Sequence, residues 1–120
     1  MPRNHGTAHE QVRAIAMALP GVEEAPCYGT PGFRVRKKLL ARFHQDGESL
    51  VLKTDRDTRE FLIRHRPRTF YLTDHYRNYP YVLVRLAAAD PGELREHLEQ
   101  AWRQAAPKRL VAEYDCLKLP

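Results

Sequence analysis

Residues 26–53 read PCYGTPGFRVRKKLLARFHQDGESLVLK. Apolar and polar side chains alternate through this stretch with the two-residue period of half-buried strands. Phe33 and Val35 fall on one face, Arg34 and Arg36 on the other. The following RKK is a candidate tight turn, although it lacks the Gly or Asn that two-residue turns favour. LLARFH continues the pattern, with Leu39, Ala41 and Phe43 facing one way and Arg42 and His44 the other. QDGE is a hairpin signal, and SLVLK pairs back across it. Three antiparallel strands are expected here. The same segment carries five cations, Arg34, Arg36, Lys37, Lys38 and Arg42, with no acidic residue between positions 29 and 43.

Working outward, TAHE at 7–10 reads as a capping box with Thr7 as N-cap and Glu10 reaching back. The helix that follows, over about 8–19, presents Val12, Ile15, Ala16 and Leu19 as one stripe, and Pro20-Gly21 ends it. Thr54 or Asp55 can cap a second helix at 55–65, anchored by Phe61 and Leu62 and stopped by Pro67. TFYL at 69–72 reads as a short strand. YVLVRLA, from 81, is apolar on both faces, the mark of an interior strand. DPGE at 90–93 opens a third helix at 91–106, with Asp90 as cap, Pro91 at the first helical position and Glu93 completing the box. Leu94, Leu98, Ala101, Trp102 and Ala105 mark its buried face. Beyond Pro107 periodicity fades.

The order of elements predicts an α+β fold, a single antiparallel sheet of about five strands with three helices packed on one face. One domain is expected over 1–120, with a core at about 7–112 and a loose tail at 113–120. The chain is 42% hydrophobic and 29% charged, ordinary for a soluble globular protein. No apolar run approaches the roughly 20 residues that span a bilayer, and MPRNHGTAHE lacks a signal-peptide centre. A cytoplasmic monomer with no membrane attachment is the expectation.

The net charge of +5 is unevenly placed: residues 25–68 hold eleven Lys and Arg against five Asp and Glu, whereas residues 69–120 hold seven of each. A local surplus of this kind suits an anionic partner. The six histidines show no helical i, i+4 pairing beyond His5 and His9, which precede or open the first helix, so they read as surface groups with no metal expected. Cys27 and Cys116 are too few for a disulfide framework; Cys27 reads as a buried thiol. The sole serine, Ser49, lies within a strand, and no nucleophile elbow, phosphate loop or helix-turn-helix is present. No catalytic residues and no cofactor are nominated, and the chain is expected not to be an enzyme. The loop DHYRNYPY at 74–81 gathers three tyrosines with Arg77 and Asn78, where aromatic faces suit bases and Arg or Asn suit phosphates or base edges.

The stretches LPGVEEAPCYGTPGFRVRKKLLARF, LVLKTD, PRTFYLTDHYRNYPYVLVRL and AWRQAAPKRL resemble the MmcQ/YjbR family of small bacterial proteins, over about residues 10–112. The resemblance implies a CyaY-like fold, shaped like the bacterial frataxin homologue. It also implies DNA binding through a double wing of two projecting hairpins. The first wing would match Phe33 to Ala41 and the second the loop from Arg77 to Tyr81. Family members often have Gly before the Lys of the first turn, where this chain has Arg36, Lys37 and Lys38; they tend to have Trp where Tyr81 stands.

The expectation is therefore a nucleic-acid-binding module, with DNA as the ligand. Its candidate contacts are Arg34, Arg36, Lys37, Lys38, Arg42, Arg77, Asn78, Tyr79 and Tyr81. The alternative is an interaction or scaffold domain whose basic face meets an acidic protein. Iron delivery of the frataxin kind is disfavoured, since the early chain offers only Glu10, Glu23 and Glu24.

Overall fold

The computed structural model describes residues 6–118, so His5 lies outside the described residues. Within them the chain forms six strands and four α-helices. The strands are β1 (Val22–Cys27), β2 (Thr30–Val35), β3 (Lys38–Phe43), β4 (Ser49–Lys53), β5 (Phe70–Tyr71) and β6 (Tyr81–Arg85). They build one antiparallel sheet in the order β1-β2-β3-β4-β6-β5. β6 is interior, as its two apolar faces require. The helices are α1 (His9–Met17), α2 (Arg56–His65), α3 (Pro91–Ala105) and α4 (Lys108–Lys118). Among the described residues no helix is long and apolar enough to cross a membrane.

One face of the sheet is the core. Phe33, Val35, Ala41, Phe43, Leu50, Leu52, Val82 and Val84 meet Val12 and Ala16 of α1 and Leu94, Leu98, Ala101 and Trp102 of α3. Trp102 is fully buried, and its indole N–H donates to the Pro20 carbonyl at 2.8 Å, tying the end of the first helical segment to α3.

Four sequence expectations change. The strand count rises because Val22–Cys27 adds an edge strand, whose middle four residues, Glu23 to Pro26, are exposed. Pro26 has no N–H to donate and fits only such an edge. Thr7 does not cap α1. Its hydroxyl donates to the Ala89 carbonyl at 2.8 Å, while the Ala8 N–H at the helix start donates to the Gln11 side chain at 2.7 Å. Phe61 does not anchor α2; it is exposed, and the buried residues of that helix are Leu62 and Arg59. The segment after Pro107 is helical. Leu110, Val111 and Tyr114 pack on the core, and Arg103 of α3 donates to Asp115 at 2.6 Å.

Asp55 is the cap of α2, accepting from the Thr58 N–H at 2.7 Å and from the Thr58 hydroxyl at 3.0 Å. These bonds favour the carboxylate and hold its pKa below the ordinary 3.8. Asp55→Ala is expected to cost about 1 kcal/mol at neutral pH. A lowered folded-state pKa stabilises the fold above the unfolded value, and that contribution fades as pH falls through the folded one. Urea denaturation at pH 7 should therefore separate wild type from variant, and the gap should narrow as pH falls below the ordinary carboxylate value of 3.8.

Candidate functional site

Among the described residues no α-helix covers the second face of the sheet, and β3 decides which side chains reach it. Phe33 pairs with Ala41 but Arg34 pairs with Leu39, so Leu40 is an extra residue in β3. Such a bulge reverses the parity of the strand on either side. Ala41 and Phe43 keep to the core, whereas Leu39 joins Arg34 and Arg42 on the open face. The sequence expectation that Leu39 faces with Ala41 is corrected on this point. Gly32 lies on the same side; a Cβ there would come within 2.8 Å of the Cys27 Cβ, so only glycine lets β1 and β2 close.

A cleft of about 820 Å³ lies over this face. Leu39 and Val51 line its base, along with the buried Cys27. Arg34, Lys37 and Arg42 supply its cations, Tyr28, Tyr76, Tyr79 and Tyr81 its aromatic walls, and His44, Gln45 and His75 complete the lining. Among the described residues no carboxylate lines it. Burial raises the Tyr81 hydroxyl pKa, so this group stays protonated at neutral pH. Among the described residues no three His, Cys, Asp or Glu side chains form a cluster able to hold a metal ion.

Of the nine residues nominated from sequence, the cleft gathers Arg34, Lys37, Arg42, Tyr79 and Tyr81. Arg36 and Lys38 are exposed on the neighbouring hairpin tip but outside the cleft. Arg77 turns to Asp74, at 2.5 Å, and Asn78 is exposed beyond the lining. Among the described residues none of Arg34, Arg36, Lys37, Lys38 and Arg42 pairs with a carboxylate. Tyr28, Tyr76, His44 and His75 belong to the site without having been nominated.

The loop 74–81 is not a projecting wing. A short 3-10 turn, Asp74–Tyr76, leads into a compact turn held from beneath by Arg59 of α2. The Arg59 guanidinium donates to the carbonyls of Tyr79 at 2.7 Å, Arg77 at 3.1 Å, Tyr81 at 3.2 Å and Tyr76 at 3.3 Å. These bonds fix the tyrosine wall against the sheet. Sequence reading passes over Arg59 because one arginine in a polar helix resembles any solvated cation.

Both hairpins beside β2 turn on residue pairs with positive φ. Tyr28 and Gly29 have φ of 54° and 86°, Arg36 and Lys37 of 51° and 71°. Two-residue turns of this kind favour Asn-Gly, and non-glycine residues there are strained. Strained Tyr28 and Lys37 both line the cleft, where strain of this sort suits a binding role. Converting Arg36→Asn and Lys37→Gly together should stabilise the protein by about 1 kcal/mol while removing two cations. Thermal denaturation checks the first effect.

A family model described as YjbR matches residues 17–104, which include β1 to β6 and nearly all of α3. The chain belongs to the YjbR family. Uncharacterised proteins of Mycobacterium bovis and Mycobacterium tuberculosis are 39% identical to this YjbR chain over 61 residues, covering 51% of it and 47% of their own length. The chain thus spans about half the length of the curated relatives it matches. The crystal structure of Deinococcus radiodurans protein DR2400, described with a DUF419 domain, superposes with a TM-score of 0.70. It shares 22% identity, over 87% of this chain and 81% of that one, and so supports the YjbR fold alone.

Proposed function

We propose that this YjbR-family chain is a non-enzymatic nucleic-acid-binding module that meets DNA on the open face of its sheet. The observation that carries this reading is the cleft where Arg34, Lys37 and Arg42 sit among four tyrosines, with no carboxylate among the described residues that line it. Cations track the phosphate backbone and release its counterions, while tyrosine faces stack on bases of any sequence. The exposed Arg36 extends the cationic surface at the tip of the β2–β3 hairpin, while Lys38, paired with Val35, lies on the other side of the sheet.

Fluorescence anisotropy with labelled random duplex, single-stranded DNA and RNA across a salt series tests the proposal. Affinity should fall steeply and log-linearly as salt rises. Absence of binding at low salt, or binding indifferent to salt, contradicts it.

A further inference from the structure

The least expected side chain in the cleft is Arg42. It is only 3% exposed, yet it has no anionic partner among the described residues. Its Nη1 donates to the Phe43 carbonyl at 3.2 Å, its Cζ lies 5.5 Å from the centre of the Tyr28 ring, and its Nε is buried without any hydrogen-bond partner. A guanidinium cannot shed its proton to escape burial. A buried cation without a counter-charge is costly, which makes an absent anion the natural complement. The planar fork of arginine matches phosphate in two parallel hydrogen bonds. Arg34 and Lys37 line the same cleft and add further positive charge.

The surroundings limit what carries that anion. At 820 Å³ the cleft falls within the size range of small-ligand pockets and is too small to admit a duplex. Tyr28 is 83% exposed and Tyr79 55% exposed, both lining the cleft, so their rings reach solvent there. In a duplex each base face is already covered by its neighbours; only an unpaired base can stack on tyrosine.

Resting on the nucleic-acid reading above, we propose that the cleft is a pocket for one unpaired nucleotide, its phosphate on Arg42 and its base against the exposed tyrosine rings. The ligand chemistry is a nucleoside phosphate, either free or within a single strand. Duplex DNA, by contrast, reaches only the hairpin cations at the rim.

The test uses the full chain, with wild type, Arg42→Met and Arg42→Lys compared. Probes are nucleoside 5′-monophosphates, the matching nucleosides, inorganic phosphate, oligothymidylate and a blunt duplex of equal length. Mononucleotides should displace labelled oligothymidylate, and nucleoside or phosphate alone should do so far less well. Arg42→Met should weaken oligothymidylate binding at least about tenfold without lowering the melting temperature, since it removes an uncompensated buried charge. Arg42→Lys keeps the charge without the fork and should fall between. If Arg42→Met fails to fold, competition by mononucleotides on wild type decides alone. Equal binding of duplex and single strand, with no competition by mononucleotides, overturns the pocket and leaves the nucleic-acid surface standing. Free mononucleotide binding without oligothymidylate binding upholds the pocket but places its ligand outside a strand. Binding of none of the probes overturns both.

Discussion

Replacing Arg59 by Ala should destabilise the protein by about 3 kcal/mol, because a buried charged donor serving several backbone carbonyls leaves each of them unpaired. No other single polar side chain in the described structure serves so many acceptors around the cleft. Four carbonyls between Tyr76 and Tyr81 depend on it. The damage should be local before it is global: amide exchange should rise across 74–81, while β3 and β4 stay protected. Nucleic-acid affinity should fall although Arg59 itself does not line the cleft, since Tyr76, Tyr79 and Tyr81 lose their fixed positions. Urea denaturation and site-resolved exchange measure the two effects. A loss below about 1 kcal/mol, with unchanged exchange in the loop, would show that the wall holds without its clamp.

The second large effect is on binding. Reversing Arg36, Lys37 and Lys38 to Glu should weaken nucleic-acid affinity by roughly an order of magnitude or more on unrelated sequences, and flatten the salt slope by about one unit for each phosphate that is no longer neutralised. All three side chains are exposed, so stability should change by no more than about half a kcal/mol per site. A correctly folded triple variant that binds as wild type does would remove the hairpin from the interface. It would also remove Lys37 from the cationic lining of the cleft, leaving Arg34 and Arg42 as its cations.

Much of the fold is legible in the sequence because its signals are local. Asp90 with Pro91 starts α3, and the five apolar residues expected to face the core are the five that are buried. The period-2 pattern likewise locates β2, β3 and β4. What escapes is set by pairing rather than by pattern. The Leu39-Leu40 pair offers an apolar side chain at either parity, so counting cannot reveal that Leu40 is the inserted residue. β1 hides because its exposed Glu23, Glu24 and Pro26 lack alternation, although a Tyr-Gly pair between two extended segments is a usable turn signal.

The site divides in the same way. Alternation places Arg34 and Arg42 on the open face, and composition marks the tyrosine loop. Neither reports that Arg42 is buried or that Arg77 is committed to Asp74. Burial of a cation depends on what folds over it, here Tyr28 on a strained turn. The α4 helix escapes for a related reason. Leu110, Val111 and Tyr114 form a short stripe whose partner, α3, becomes apparent only in three dimensions.

The central claim, that nucleic acid occupies the helix-free face of the sheet, is tested most directly by backbone amide chemical shifts during titration with a short single-stranded oligonucleotide at low salt. The account predicts shifts concentrated at Cys27 and Tyr28, across 34–42 and across 75–81, with α1 and α3 unmoved. Shifts confined to the helical face, or none at oligonucleotide concentrations that saturate anisotropy, would contradict it.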